Sequence, residues 1–223
     1  SRINPSFRSD EVEVTWKHEL VTPTVSCPPA DGERRHGAEA IVTFRNGVAE
    51  KRRVSKRYRI PALDKRLITE RTRAEARLIH AARRSGVPTP IMKDITEDTI
   101  VMEQVRGTLL TEDLSDTALR EAGRMVGRLH AGGIVHGDLT TSNLILRHDA
   151  RCVLIDFGLA QATEEIEPRG VDLHVLYQTL ESTAPDQAEI LKAAFAAGYR
   201  ETFLHADDVI TREHEIELRG RYL

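Results

Sequence analysis

The stretch that most constrains this chain is a pair of polar clusters set into apolar runs. "GIVHGDLTTSN" spans Gly133 to Asn143 and passes directly into "LILR"; "CVLIDFGLA" then starts at Cys152, placing Asp156 eighteen positions beyond Asp138. An Ile-Val strand leads in, and the runs "NLILR" and "CVLI" form a small hairpin about the turn "HDAR", so backbone geometry is fixed on both sides of each cluster. A turn capped by Asp138 would explain the first cluster alone. The second cluster brings Asp138, Asn143 and Asp156 around one hairpin, as an acid, an amide and a second acid. Phosphoryl transfer uses such a set: one carboxylate orients the attacking hydroxyl, while the amide oxygen and the other carboxylate hold magnesium against nucleotide phosphates. Gly158 lets the backbone turn sharply behind the second acid.

At 223 residues the chain has room for one large domain or two small lobes. Residues 1–17 end in "DEVEVTW", an alternating run that reads as a short strand. Residues 18–36 are rich in Pro and polar residues and read as a linker. "AEAIVTFRNGVAEKRRV" holds two strands about Asn46-Gly47, the preferred two-residue hairpin turn. "PALDKRLITERTRAEARLIHAARRSG" is a long helix with Leu67, Ala74, Leu78 and Ala81 at helical spacing, stopped by Gly86. "PIMKDITEDTIVMEQV" gives two further strands around an acidic turn. Beyond Gly107 the pattern becomes helical: "DTALREAGRMVGRLHAGG" aligns Leu119, Ala122, Val126 and Leu129 on one face, and further helices are expected over 171–182 and 186–197, with a polar tail ending in "LRGRYL".

Charged residues make up 30% and aromatics 4%, a soluble, polar composition, and the net charge of −3 argues against a general nucleic-acid-binding surface. The charges are segregated, however. Residues 51–77 form a basic block, whereas 94–116 and 163–167 are acidic, so a local positive patch can hold phosphate. Cys27 and Cys152 have no metal-binding spacing, and the nine histidines form no HxxxH or HExxH motif. No apolar run approaches the roughly 20 residues that span a bilayer, and no signal peptide is visible. A reducing cytoplasm without membrane association is the expected setting.

The paired motifs resemble the protein-kinase catalytic loop H-R-D-L-x-x-x-N followed by D-F-G. More closely, "IVHGDLTTSNLIL", "VLIDFGLA", "GVDLHVL" and "LRGR" resemble the small atypical serine/threonine kinase family of the KEOPS complex, Bud-type and RIO-like. The resemblance runs from about Gly37 to Arg221. It implies an α+β, bilobal protein-kinase-like fold: a β-rich N-lobe with one long helix over 37–105, and a reduced, mainly helical C-lobe with a basic tail over 106–223. By the same resemblance Asp138 is the catalytic base and Asn143 and Asp156 are ligands of Mg2+ (or Mn2+). Lys51 grips the α/β-phosphates of ATP and pairs with Glu75; Gly37, Ala38, Glu39 and Ala40 cover the phosphates. Met102, Glu103 and Val105 meet adenine, and His136 and Asp172 support the catalytic loop.

Three departures from the protein-kinase pattern carry meaning. The phosphate-covering loop has one glycine, Gly37, and an acid, Glu39. Gly137 replaces the arginine that reads an activation-loop phosphate. The segment after "DFG" is short and lacks A-P-E, so the platform for peptide substrates is missing and ATP hydrolysis, autophosphorylation or action on a bound partner fits better. The resemblance also implies partners: a threonylcarbamoyl-transferase subunit, other KEOPS subunits, and tRNA. Lys51, Arg52, Arg53, Lys56, Arg57, Arg219 and Arg221 are the candidate contacts for tRNA phosphates. "FRSDEVEVTW" (Phe7–Trp16) is similar to the C-terminal end of the transferase subunit, so the chain looks like the kinase part of an archaeal transferase–kinase fusion. Two other readings are a small-molecule phosphotransferase of the aminoglycoside or choline kinase type, and a non-catalytic, ATP-gated tRNA-binding scaffold.

Overall fold

A computed structural model describes residues 13–15 and 29–220. Six strands of the described residues form one twisted sheet: β1 (Glu13–Thr15), β2 (Arg34–His36), β3 (Ala40–Arg45), β4 (Val48–Arg53), β5 (Met92–Ile95) and β6 (Thr99–Glu103), in the order β1-β2-β3-β4-β6-β5. The β3–β4 hairpin turns at Asn46 and Gly47, whose φ angles of 51° and 72° are the paired left-handed values of a type I′ turn. β2 lies within the stretch whose Pro-rich composition suggests a linker; it pairs antiparallel with β3, Arg34 opposite Thr43. The likeness of Phe7–Trp16 to a transferase terminus falls, apart from the short β1, outside the described residues.

Between the strands runs α1 (Pro61–Arg84), started by Pro61, which suits the first turn because that position needs no amide hydrogen. Its inward face differs from the one read from apolar spacing. Thr72, Glu75, Ala76, Ile79 and Ala82 are buried, while Leu67, Ala74, Leu78 and Ala81 lie half-buried beside them. The face is centred on a carboxylate, which an apolar periodicity cannot reveal. Asp64, also buried, ties the preceding loop to the helix by accepting from the Ser55 hydroxyl at 2.6 Å and the Lys56 amide at 3.1 Å.

The second half is built on α2 (Asp116–Ala131), capped by Ser115, whose expected face of Leu119, Ala122, Val126 and Leu129 is buried. After it come β7's partners in a small sheet: β7 (Thr108–Leu109) pairs with β9 (Leu144–Leu146), which pairs with β10 (Cys152–Leu154), while β8 (Ile134–Val135) pairs with β11 (Gln161–Ala162). Three helices follow: α3 (Ile166–Thr183), α4 (Ala188–Thr202) and α5 (Ala206–Gly220). α3 begins five residues before the expected 171, because Pro168 sits in its first turn, where it is tolerated, and so does not mark a loop. α4 runs past the expected end at 197 through Gly198; this glycine is there because a Cβ would collide with the carbonyl of Arg120 on α2. Much of the expected polar tail is helix α5, which docks on α3 through Ala206, Val209 and Glu213, a stripe too sparse to read from apolar periodicity. No helix of the described residues is long and apolar enough to cross a membrane.

Candidate active site

Strand alternation sets the first part of the site. In β4, Ala49, Lys51 and Arg53 point inward and Glu50 and Arg52 outward. Lys51 meets Glu75 of α1 and Asp156 at 2.6 Å each, a single ammonium shared by two carboxylates from opposite halves of the molecule. Arg53 takes the second oxygen of Glu75 at 2.6 Å. Burial alone would lower the pKa of Lys51, but Asp156 and Glu75 outweigh it and hold the ammonium above its ordinary value. For Asp156 burial pushes the other way, and Lys51 pulls the carboxyl below the usual range. Its side chain remains about half exposed to the cleft, at 51%.

The second part is the hairpin loop. Asn143 donates through Nδ2 to the backbone oxygen of Asp138 at 2.8 Å and to its carboxylate at 3.1 Å, leaving Asn143 Oδ1 as the free acceptor. The amide of Ile155 bonds the Asn143 carbonyl at 3.0 Å, which sets Asn143 beside the residue preceding Asp156. His136 donates its Nε2 hydrogen to the Ile155 carbonyl at 3.0 Å and stacks edge-on against Phe157 at 5.4 Å. From α3, Asp172 accepts the amides of His136 at 2.5 Å and Gly137 at 2.7 Å. Asp138, Asn143, Asp156, Lys51 and Glu75 are thus joined by direct hydrogen bonds or through single backbone links, with His136 and Asp172 beneath them.

Two backbone features were not read from the sequence. Asp156 has a φ of 61°, left-handed for a non-glycine residue, whereas Gly158 is not left-handed, so the strained turn falls on the aspartate itself and not on the glycine behind it. Gly137 has a φ of 78°, and a Cβ there would strike the carbonyl of Leu159. The glycine that stands in place of arginine is therefore demanded by close packing. A third missed residue is His130, fully buried on α2, which bonds Asp172 at 3.2 Å and the Tyr199 hydroxyl at 2.7 Å. Its place on the buried stripe of α2, four residues after Val126, was the available signal.

The remaining expected residues are placed as follows. Gly37 and Ala40 close a tight turn through an amide-to-carbonyl bond of 2.9 Å, and Glu39 between them is held by Arg53 and Arg71. Met102 and Glu103 lie on β6, and the amides of Glu103 and Gln104 are engaged by the carbonyls of Ile91 and Gly47. Val105 is buried with Ile145 and Val153, flanked by Leu109 and Ile155, in an apolar patch separate from the main core. Of the basic residues, Lys51 and Arg53 are buried and paired with Glu75, and so present little surface to solvent; alternation along β4, with Lys51 inward, was the signal for Arg53. Arg52 and Arg57 face solvent, and Lys56 reaches the Ala38 carbonyl. Arg219 pairs with Glu167 of α3 at 2.7 Å, and Arg221 lies outside the described residues.

A divalent cation fits this donor set. The freed Asn143 Oδ1 and the exposed Asp156 carboxylate are two hard oxygens at the cleft, the number a magnesium ion takes from protein when phosphates and water complete its shell.

Residues 37–174 match the family model described as the RIO domain. The chain is 60% identical over its whole length to a protein of Methanospirillum hungatei named "Probable bifunctional tRNA threonylcarbamoyladenosine biosynthesis protein", and covers 42% of that protein. A protein of the same name from Methanosarcina acetivorans is 46% identical, again matched over the whole of this chain and 43% of its own length. The chain therefore spans less than half the length of these curated relatives. Among solved structures, monomeric WbdD aligns with a TM-score of 0.52 at 18% identity, over 70% of this chain and 44% of that one, which shows a shared fold.

Proposed function

Because the chain belongs to the RIO-domain family of atypical kinases, we propose that it is an ATP-dependent phosphotransferase or ATPase that works as one part of a bifunctional tRNA threonylcarbamoyladenosine biosynthesis protein. One observation carries the reading: a single ammonium, Lys51, ion-paired with both Glu75 and Asp156 beside the Asp138–Asn143 loop. Lys51 is positioned by Glu75 to receive phosphate oxygens. Asn143 and Asp156 would hold magnesium, which supplies charge neutralisation of the polyphosphate and of the transferring phosphoryl group. Asp138 accepts the proton of the attacking hydroxyl or water and orients it in line. Asp172 fixes the loop that carries Asp138 by holding two consecutive amides, and His136 locks that loop to Ile155, the residue preceding Asp156. With the amides of Glu103 and Gln104 engaged, contact with adenine falls to backbone carbonyls and to Val105, on the apolar patch it shares with Ile145 and Val153.

The partners proposed are the transferase part of the same polypeptide, other KEOPS subunits, and tRNA. For tRNA the solvent-facing Arg52 and Arg57 are the contacts retained from the basic run. The reading is supported by relatives that carry the tRNA-modification name along a chain more than twice as long. γ-Labelled ATP with magnesium tests it, followed with and without tRNA and the transferase part. Label released as inorganic phosphate and raised by those partners is the expected result. Label on protein would make it a kinase in the ordinary sense, and label that stays on ATP throughout would contradict the proposal.

A further inference from the structure

Arg71 belongs to none of the motifs above. It sits on α1 four residues before Glu75, so both side chains leave the same face of the helix. Its Nη1 meets the two oxygens of Glu39 at 2.7 and 2.8 Å, and Arg53 reaches the same carboxylate at 3.2 Å. A chain of alternating charge results. It runs from Asp156 to Lys51 (2.6 Å), Glu75 (2.6 Å), Arg53 (2.6 Å), Glu39 (3.2 Å) and Arg71 (2.7 Å), from the end of the hairpin to the segment at 37–40.

This segment carries one glycine where a mobile phosphate loop carries three, and it is held by backbone and side-chain bonds together. The Val54 amide bonds the Glu39 carbonyl at 3.0 Å, and Lys56 reaches the Ala38 carbonyl. A bare carboxylate at Glu39 would repel an incoming polyphosphate. Burial alone would raise its pKa, but hydrogen bonding and charge from Arg71, with Arg53 and Lys56, hold it below the usual range. At neutral pH it is an anion whose charge two guanidinium groups already balance.

We infer that Arg71 is a positioning residue for nucleotide binding: by pairing with Glu39 it holds the segment 37–40 over the cleft and neutralises the one acid in it. The inference rests on the ATP-binding reading above. It differs from a direct role of Arg71 on phosphate in requiring Glu39 as the intermediary.

The test is a double-mutant cycle on the whole chain, titrating a fluorescent ATP analogue in magnesium. Arg71→Gln weakens binding by about fivefold, the upper end for a half-exposed ion pair, and Arg71→Lys by less. In a Glu39→Gln background the same Arg71→Gln change alters affinity less than about twofold, because its intermediary is gone. Hydrogen exchange of the Val54 amide quickens in Arg71→Gln without added nucleotide. Unchanged affinity in Arg71→Gln would overturn the inference. An undiminished effect in the Glu39→Gln background would do so too, assigning Arg71 a direct contact. Failure of the wild-type chain to bind the analogue at all would instead bring down the ATP-binding reading.

Discussion

Between α2 and α4 the nearest neighbours are backbone atoms and rings; between β4 and α1 they are opposite charges. In the helical half, Gly123 and Gly198 let two helices touch, and Leu129, Phe195, Tyr199 and Leu173 close a continuous apolar core. In the sheet half, the buried side chains facing one another include Lys51, Arg53 and Glu75. Burying charges costs desolvation that apolar packing does not, so a core of ion pairs is a weak route to stability. On the ATP-binding proposal it suits a lobe that would hold a polyanion. The two halves then divide the work: α3 of the helical half holds the loop bearing Asp138 through Asp172, and the charged lobe supplies the field that a nucleotide would enter.

The comparison can be broken in order of expected effect. Phe195→Ala, which empties the helical core, lowers unfolding stability by about 3–5 kcal/mol, read from the urea midpoint. Glu75→Gln strips one partner from two buried cations, each of which retains another: Lys51 keeps Asp156 and Arg53 keeps Glu39. Its cost is therefore at the low end for a broken buried pair, about 3 kcal/mol, and amide exchange should rise in β4 and α1 while α2 and α4 stay protected. Uniform loss of protection in both halves would show that the two interiors unfold as one and erase the contrast.

Acid sharpens the same contrast. His130 is kept neutral by burial, its pKa lowered below the ordinary value, although Asp172 pulls the other way. The unfolded chain takes up a proton there first, so stability falls as pH drops below about 6.5, by up to about 1.4 kcal/mol per pH unit. Asp156 is depressed below the usual carboxylate range, so its contribution persists to lower pH and is lost only as pH falls through its own lowered value. Lys51, raised, loses its contribution only in strong alkali. Urea midpoints between pH 8 and 5 should therefore slope in the wild-type chain and flatten in His130→Gln.

Legibility in the sequence followed the kind of physics involved. The Asn46-Gly47 turn, the apolar face of α2 and the hairpin bearing Asp138, Asn143 and Asp156 all rest on local signals, and each stands where it was expected. The inward face of α1 did not, because Glu75 is buried by its ion pairs with Lys51 and Arg53 of β4, which no periodicity in α1 encodes. α5 was passed over because its docked stripe contains Glu213, held by His174 at 3.1 Å, in place of an apolar residue. Arg71 was invisible for the same reason: its partner is thirty-two positions away. The basic run 51–57 read as one patch, whereas strand alternation divides it into cations of the cleft and cations of the surface.

The measurement that tests the account most directly sets nucleotide affinity beside turnover in Lys51→Met and Asp138→Asn. The account predicts that Asp138→Asn binds ATP with near wild-type affinity while losing turnover by about 10²- to 10⁴-fold, as expected for a lost general base, and that Lys51→Met loses affinity. Normal turnover in Asp138→Asn would contradict the account at its centre.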